Sequence, residues 1–143
     1  MLKGIPPEIS PELMHVLMSM GHGDELVLAD GNFPADANAQ RIVRADGHGV
    51  PAILAAVLKF FPIDMFSEDV ACVMQPVDAE TPTPPIWSDF SGLLSGAEGR
   101  NVALTPIERF AFYDRACQAY AIVATGETAV YANLILKKGV VTP

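Results

Sequence analysis

Residues 10–30 read SPELMHVLMSMGHGDELVLAD, and they place a helix, a turn and a strand end to end. Ser10 has the short hydroxyl side chain of an N-cap, Pro11 occupies the first helical position, and Glu12 adds an acid to the first turn. Leu13, Val16, Leu17 and Met20 then follow the i, i+3, i+4, i+7 spacing of one helical face. Gly21 stops that helix. Glu25 to Ala29 is a short apolar run ending at Asp30, which predicts a buried strand.

Helix and strand keep alternating on either side of this unit. Arg41–Ala45 is a second strand candidate, and Gly47-His48-Gly49 is a loop. Pro51 starts a helix with Ile53, Leu54, Val57, Leu58 and Phe61 on one face, and Pro62 ends it. Val70–Met74 is a third strand. The stretch from Pro76 to Pro85 holds four prolines and reads as a loop. Trp87, Phe90 and Leu94 predict a helix closing at Gly96. Val102–Leu104 is a short strand, and Thr105-Pro106-Ile107-Glu108 a capping box opening a helix through about Gln118. Tyr120–Thr125 and Tyr131–Leu136 are the last strands, read as a hairpin across Gly126-Glu127. Six strands interleaved with helices predict an α/β fold, a mixed sheet covered on both faces. Nothing divides the chain, so one domain over residues 1–143 is expected.

Composition narrows the function. The chain has 143 residues, a net charge of −8 and a mean hydropathy of +0.29; half its residues are apolar and 18% are charged. No uncharged apolar run reaches the ~18 residues of a membrane span. Pro6, Pro7 and Glu8 stand where a signal peptide needs its apolar stretch. Nine basic residues against 17 acidic ones argue against nucleic acid. A cytoplasmic protein is expected. Its apolar excess, with no membrane to receive it, points to a homo-oligomer. Cys72 and Cys117 show no disulfide or zinc spacing, and His15, His22 and His48 no metal-ligand spacing, so no metal site is expected. No P-loop, GxGxxG or GxSxG motif is present.

Acid–base chemistry remains. His22 lies between two glycines, with Asp24 and Glu25 beside it, and imidazole exchanges protons near neutral pH. Read alone, it is also an ordinary turn residue. Asp30 sits where open α/β sheets bind ligands, beyond the carboxyl end of a strand, although a loop Asp capping the next turn fits the same position. Arg109 and Tyr113 share a helix face, as a surface pair or as part of a cleft. Tyr131 and Asn133 share a strand face by period two and would offer a hydroxyl and an amide to a polyhydroxyl ligand.

Residues 10–30, Arg44-Ala45-Asp46-Gly47 and residues 107–139 (IERFAFYDRACQAYAIVATGETAVYANLILKKG) together resemble the fucose mutarotase / ribose pyranase family, the fucose branch more than the ribose branch. The resemblance runs over almost the whole chain. It implies a three-layer α/β/α fold, interconversion of sugar anomers without a cofactor, and a ring or decamer in which a neighbouring subunit completes the site. Position by position, it implies His22 as proton donor and Asp64 as a catalytic acidic residue, with either Asp64 or a water held near Tyr113 as the base. Asp30, Met74, Arg109, Tyr113, Tyr131 and Asn133 would contact the sugar. Ala132 departs from the Gly usual in the fucose branch and matches the ribose branch. A pyranase acting on ribose-type sugars and a non-catalytic monosaccharide-binding protein are the alternatives.

Overall fold

A computed structural model describes residues 1–143. Its elements in chain order are α1 (Pro11–Ser19), β1 (Glu25–Ala29), α2 (Ala35–Asn38), β2 (Ile42–Ala45), α3 (Val50–Val57), β3 (Ala71–Met74), α4 (Ile86–Glu98), β4 (Thr105–Ile107), α5 (Arg109–Gln118), β5 (Ala121–Thr125) and β6 (Leu134–Lys137). The Ser10 hydroxyl accepts from Leu13 N at 3.1 Å and caps α1 as its residue type demands.

The six strands form one sheet in the order β2-β5-β1-β6-β3-β4. β6 runs antiparallel to β1 and β3, and the other pairings are parallel. Side chains alternate across β1 as the pleat requires. Leu26 and Leu28 join a large core with Leu13 and Leu17 of α1, Leu54 of α3 and Phe90 and Leu94 of α4. Val27 and Ala29 face a smaller core with Phe33, Phe112 and Ala116, under α2 and α5. These two cores on opposite faces of one sheet make the three-layer α/β/α architecture.

Several local expectations are corrected. β5 and β6 are not a hairpin, because β1 lies between them. The mixed character of the sheet comes from β6 inserting between β1 and β3. α4 runs through Gly96 and closes at Gly99, whose φ of 64° is the left-handed C-cap conformation. The edge strand near Val102–Leu104 lies instead at Thr105–Ile107, pairing with β3; an edge position tolerates Pro106, which has no N–H to give. Thr105 therefore caps no helix. Glu108 is the N-cap of α5, its carboxylate accepting from Phe110 N at 2.9 Å and Ala111 N at 3.0 Å. Past Val57 the chain leaves the α-helix, so α3 stops before Phe61. The four-residue α2 has no hydrophobic period of its own to announce it.

The carboxyl ends of β1, β3 and β5 meet the start of antiparallel β6. Asp30, Gln75, Gly126 and Asn133 thus cluster at one end of the sheet. His22, Ile63 and Lys138 gather at the other end, where Gly23 N donates to Lys138 O at 2.8 Å.

Candidate active site

At the carboxyl end, Asp30, Asn32, Phe33, Met74, Val77, Arg109, Tyr113, Val130, Tyr131 and Asn133 line a cleft of about 290 Å³. All six residues expected to contact a sugar are among them, drawn from both flanks of the sheet. Asp30 and Asn133 form its floor, and both are buried. Asp30 N donates to Asn133 Oδ1 at 2.8 Å, and Asn133 Nδ2 donates to Asp30 Oδ2 at 2.9 Å. Asn32 N donates to Asp30 Oδ1 at 3.0 Å. Each carboxylate oxygen holds one bond and keeps acceptor capacity for a ligand hydroxyl.

Tyr131 does not lie on a strand. It precedes β6 with a φ of 56°, a left-handed conformation that side chains resist. Two bonds fix it there: Trp87 Nε1 donates to Tyr131 O at 2.9 Å, and Val77 N donates to the Tyr131 hydroxyl at 3.4 Å. Glu127 ties down the preceding loop, accepting from Val50 N at 3.2 Å and from Thr128 N and Ala129 N at 2.9 Å. Arg109 and Tyr113, one turn apart on α5, both reach the cleft. Tyr113 stacks at a tilt on Phe33, ring centres 5.5 Å apart, and the Arg109 guanidinium lies 4.7 Å from the Phe110 ring with no ion-pair partner. Ala132 is fully buried in the larger core, so its methyl group is not part of the cleft lining.

A wider hollow of about 550 Å³ adjoins the cleft past Asp30 and Phe33. On its wall Arg44 and Asp46 pair with each other, which leaves Asp36 and the shared Asp30 as its unpaired charges. The smaller cleft is the one that sets a free cation, Arg109, opposite the Asp30–Asn133 floor.

The two residues expected to move protons lie elsewhere. His22 and Asp64 are together, His22 Nε2 being 3.1 Å from Asp64 Oδ1, but at the opposite end of β1 from Asp30. Asp64 is 3% exposed and His22 49% exposed. The Ser67 hydroxyl bonds to Asp64 Oδ2, and Phe66 N donates to Oδ1 at 3.3 Å. These bonds hold the Asp64 carboxyl down at about 2, the Ser67 hydroxyl first, then His22 and Phe66 N, against the opposing effect of burial. Asp64 is therefore an ionised partner of His22 and has no access to the cleft of its own chain. Phe66 meets the His22 ring edge-on at 6.0 Å.

The sequence reading places Trp87 in a helix and Glu127 in a turn, and gives neither of them, nor Ser67, a part in a site. Trp87 and Tyr131 are 44 residues apart, and no local pattern links them. Only Ser67 carried a signal, a hydroxyl three residues after an acid, and that spacing is too common to stand out.

Comparison with known proteins gives a consistent picture. The profile of the RbsD / FucU transport protein family matches residues 3–141. The chain is 51% identical to the fucose mutarotase of Danio rerio over 148 residues, covering 99% of this chain and 95% of that protein. It is 52% identical to the fucose mutarotase of Homo sapiens over 145 residues, covering 97% and 94% respectively. The crystal structure of the fucose mutarotase from Streptococcus pneumoniae in complex with L-fucose superimposes with a TM-score of 0.93 at 44% identity, covering 99% of this chain and all of that one.

Proposed function

The chain belongs to the RbsD / FucU family, and from that membership we propose that it is an isomerase interconverting the α- and β-anomers of L-fucose by opening and closing the sugar ring. The observation that carries the reading is the cleft: Asp30, Asn133, Arg109, Tyr113 and Tyr131 converge on one hollow of monosaccharide size, with Met74 and Val130 on its apolar side. Polar groups for ring hydroxyls beside an apolar wall suit a 6-deoxy sugar, which carries a methyl group in place of one hydroxyl.

Mutarotation needs one group to protonate the ring oxygen while another takes the anomeric hydroxyl proton. The C1–C2 bond then turns in the open aldehyde, and the ring closes on the other face. Asp30, Asn133, Arg109 and Tyr131 orient hydroxyls. A water at the Tyr113 hydroxyl receives the anomeric proton, because Asp64 is occupied at the far end of β1. His22 supplies the other proton, and it reaches a cleft only from a second copy of the chain. Two exposed apolar sets fit that arrangement. Phe66 is exposed against the His22 ring, with Met65 exposed next to Asp64 in sequence; Val77 and Val130 are exposed on the cleft lining, with Phe110 exposed beneath Arg109. Pairing one set with the other joins copies head to tail, and such heterologous contacts close into rings. A positioned acid and base contribute about 10²–10⁴-fold each, ample for a reaction already quick in water.

The test is exchange NMR between the anomeric signals of L-fucose. Added protein accelerates the exchange, and His22→Ala removes most of the acceleration with the fold intact. No acceleration by the wild-type protein overturns the enzyme reading, and saturable fucose binding without it identifies a carrier.

A further inference from the structure

Building on the mutarotase reading, we propose that Ser67 is a positioning residue for the proton transfer: its hydroxyl holds the Asp64 carboxylate against His22 Nε2, which leaves Nδ1 as the nitrogen that meets the sugar.

The Asp64 carboxylate is shared out among three donors. Oδ1 faces His22 Nε2 and accepts from Phe66 N, while Oδ2 takes the Ser67 hydroxyl. An ionised carboxylate can only accept, so the His22 nitrogen facing it carries the hydrogen. The neutral ring then presents a bare Nδ1, and the charged ring an Nδ1–H. A reversible proton carrier needs those two states at one atom. Phe66, edge-on to the imidazole, stands against a ring flip that would exchange the two nitrogens.

The backbone beneath the pair is held by other groups. Arg100 Nη2 donates to the carbonyls of Ile63 at 3.4 Å and Asp64 at 3.0 Å, Glu98 Oε1 accepts from Ile63 N at 3.1 Å, and Asp64 N donates to Lys137 O at 3.0 Å. Ser67 itself is exposed, and its side-chain bond is to the carboxylate alone. Removing the hydroxyl frees the carboxylate and leaves this frame in place. Other charged residues are tied to the backbone here: Lys137, whose carbonyl accepts from Asp64 N; Lys138, bridged to Ile63 and donating its N–H to Asp24 O; Glu98 at the end of α4; and Arg100 just beyond it. His22 is the charged group that acts most strongly on the Asp64 carboxyl. The Ser67 hydroxyl is the largest influence holding that carboxyl ionised.

The experiment compares wild-type, Ser67→Ala and Ser67→Thr proteins by ¹⁵N NMR of the His22 ring, at a pH where it is neutral, and by fucose anomer exchange across pH. Wild-type His22 carries its hydrogen on Nε2. Ser67→Ala gives a mixture of tautomers and an acidic limb of the rate profile moved to higher pH. Its kcat falls about ten-fold, the loss expected for one bond to a charged group, with little change in KM. Ser67→Thr, which keeps the hydroxyl, restores all three. A wild-type ring protonated on Nδ1 overturns the proposal, and so does a Ser67→Ala protein with unchanged tautomer and pH profile. If wild-type protein fails to speed anomer exchange, the mutarotase reading falls, and the ring tautomers still decide what Ser67 does to His22.

Discussion

If the site forms between copies, two inactive variants restore each other. His22→Ala removes the proton donor and leaves the cleft intact, whereas Asp30→Asn damages the cleft and leaves the donor intact. The geometry sets the expected magnitude. His22 and Asp30 flank the five residues of β1, which span about 17 Å at a strand's rise. Proton transfer needs heavy atoms within about 3 Å, so no side-chain rotation lets His22 serve its own cleft. In a head-to-tail ring every site takes His22 from one copy and Asp30 from the next. Random mixing of the two variants in equal amounts yields an intact pair at about one junction in four. Each variant alone loses about 10²-fold or more in anomer exchange. Co-expressed and co-purified through two different tags, the mixture returns to about a quarter of the wild-type rate per site. A mixture no faster than its parents, although the copies associate, refutes the shared site. A wild-type chain that runs as a monomer in light scattering while still accelerating exchange refutes it as well.

Three further outcomes follow from single contacts. Trp87→Phe removes the donor to Tyr131 O; we expect a loss of about 1 kcal/mol in stability by denaturant melt and a raised KM for fucose, since Tyr131 is freed from its left-handed conformation. Gly139→Ala would set a Cβ 2.8 Å from Ile63 O and 2.9 Å from Asp64 Cα; a lowered Tm, about 1–3 kcal/mol of overpacking, should come with reduced exchange activity as Asp64 is displaced. Acid unfolding carries the sign of the Asp64 shift. Its carboxyl is held at about 2 against an ordinary 3.8, so its contribution is fully present above about pH 4 and lost as pH falls toward 2, and an Asp64→Asn protein should lack that portion of the wild-type acid transition.

Sequence patterns spoke clearly wherever the physics was local. The Ser10 cap, the apolar spacing of α1 and the apolar run of β1 are decided by neighbours within a turn or a pleat, and those elements lie where their residues put them. Strand order is not local. β5 and β6 follow one another in sequence, and only the buried faces of β1 on both sides explain why it separates them. Thr105-Pro106-Ile107-Glu108 satisfied two patterns at once; pairing with β3 made Thr105–Ile107 a strand and left capping to Glu108. The cleft residues were found through resemblance and period two, but period two gave a wrong reason for Tyr131. A bond from Trp87 on α4 to the Tyr131 carbonyl in the loop before β6, and not a shared strand face, holds Tyr131 beside Asn133.

The position of Asp64 changes the chemistry more than any of these differences. The resemblance implies Asp64 as a catalytic acidic residue and one of two candidates for the base. In the folded chain it is 3% exposed, bonded to Ser67 and Phe66 N, and 3.1 Å from a half-exposed His22. A base that must take a proton from a sugar hydroxyl needs an open oxygen and a pKa near working pH. Asp64 has neither, since its carboxyl is held at about 2. What it does have is suited to a different task, keeping one imidazole nitrogen protonated so that the other alternates. The apolar excess of the sequence enters the same arrangement. Phe66 stands exposed against His22, the proposed proton carrier, with Met65 exposed beside it in sequence, and Val77 and Val130 stand exposed on the lining of the cleft. Were the first set buried against the second, water would be excluded from the proposed junction, and the contact joining two copies would also complete the proposed reaction site.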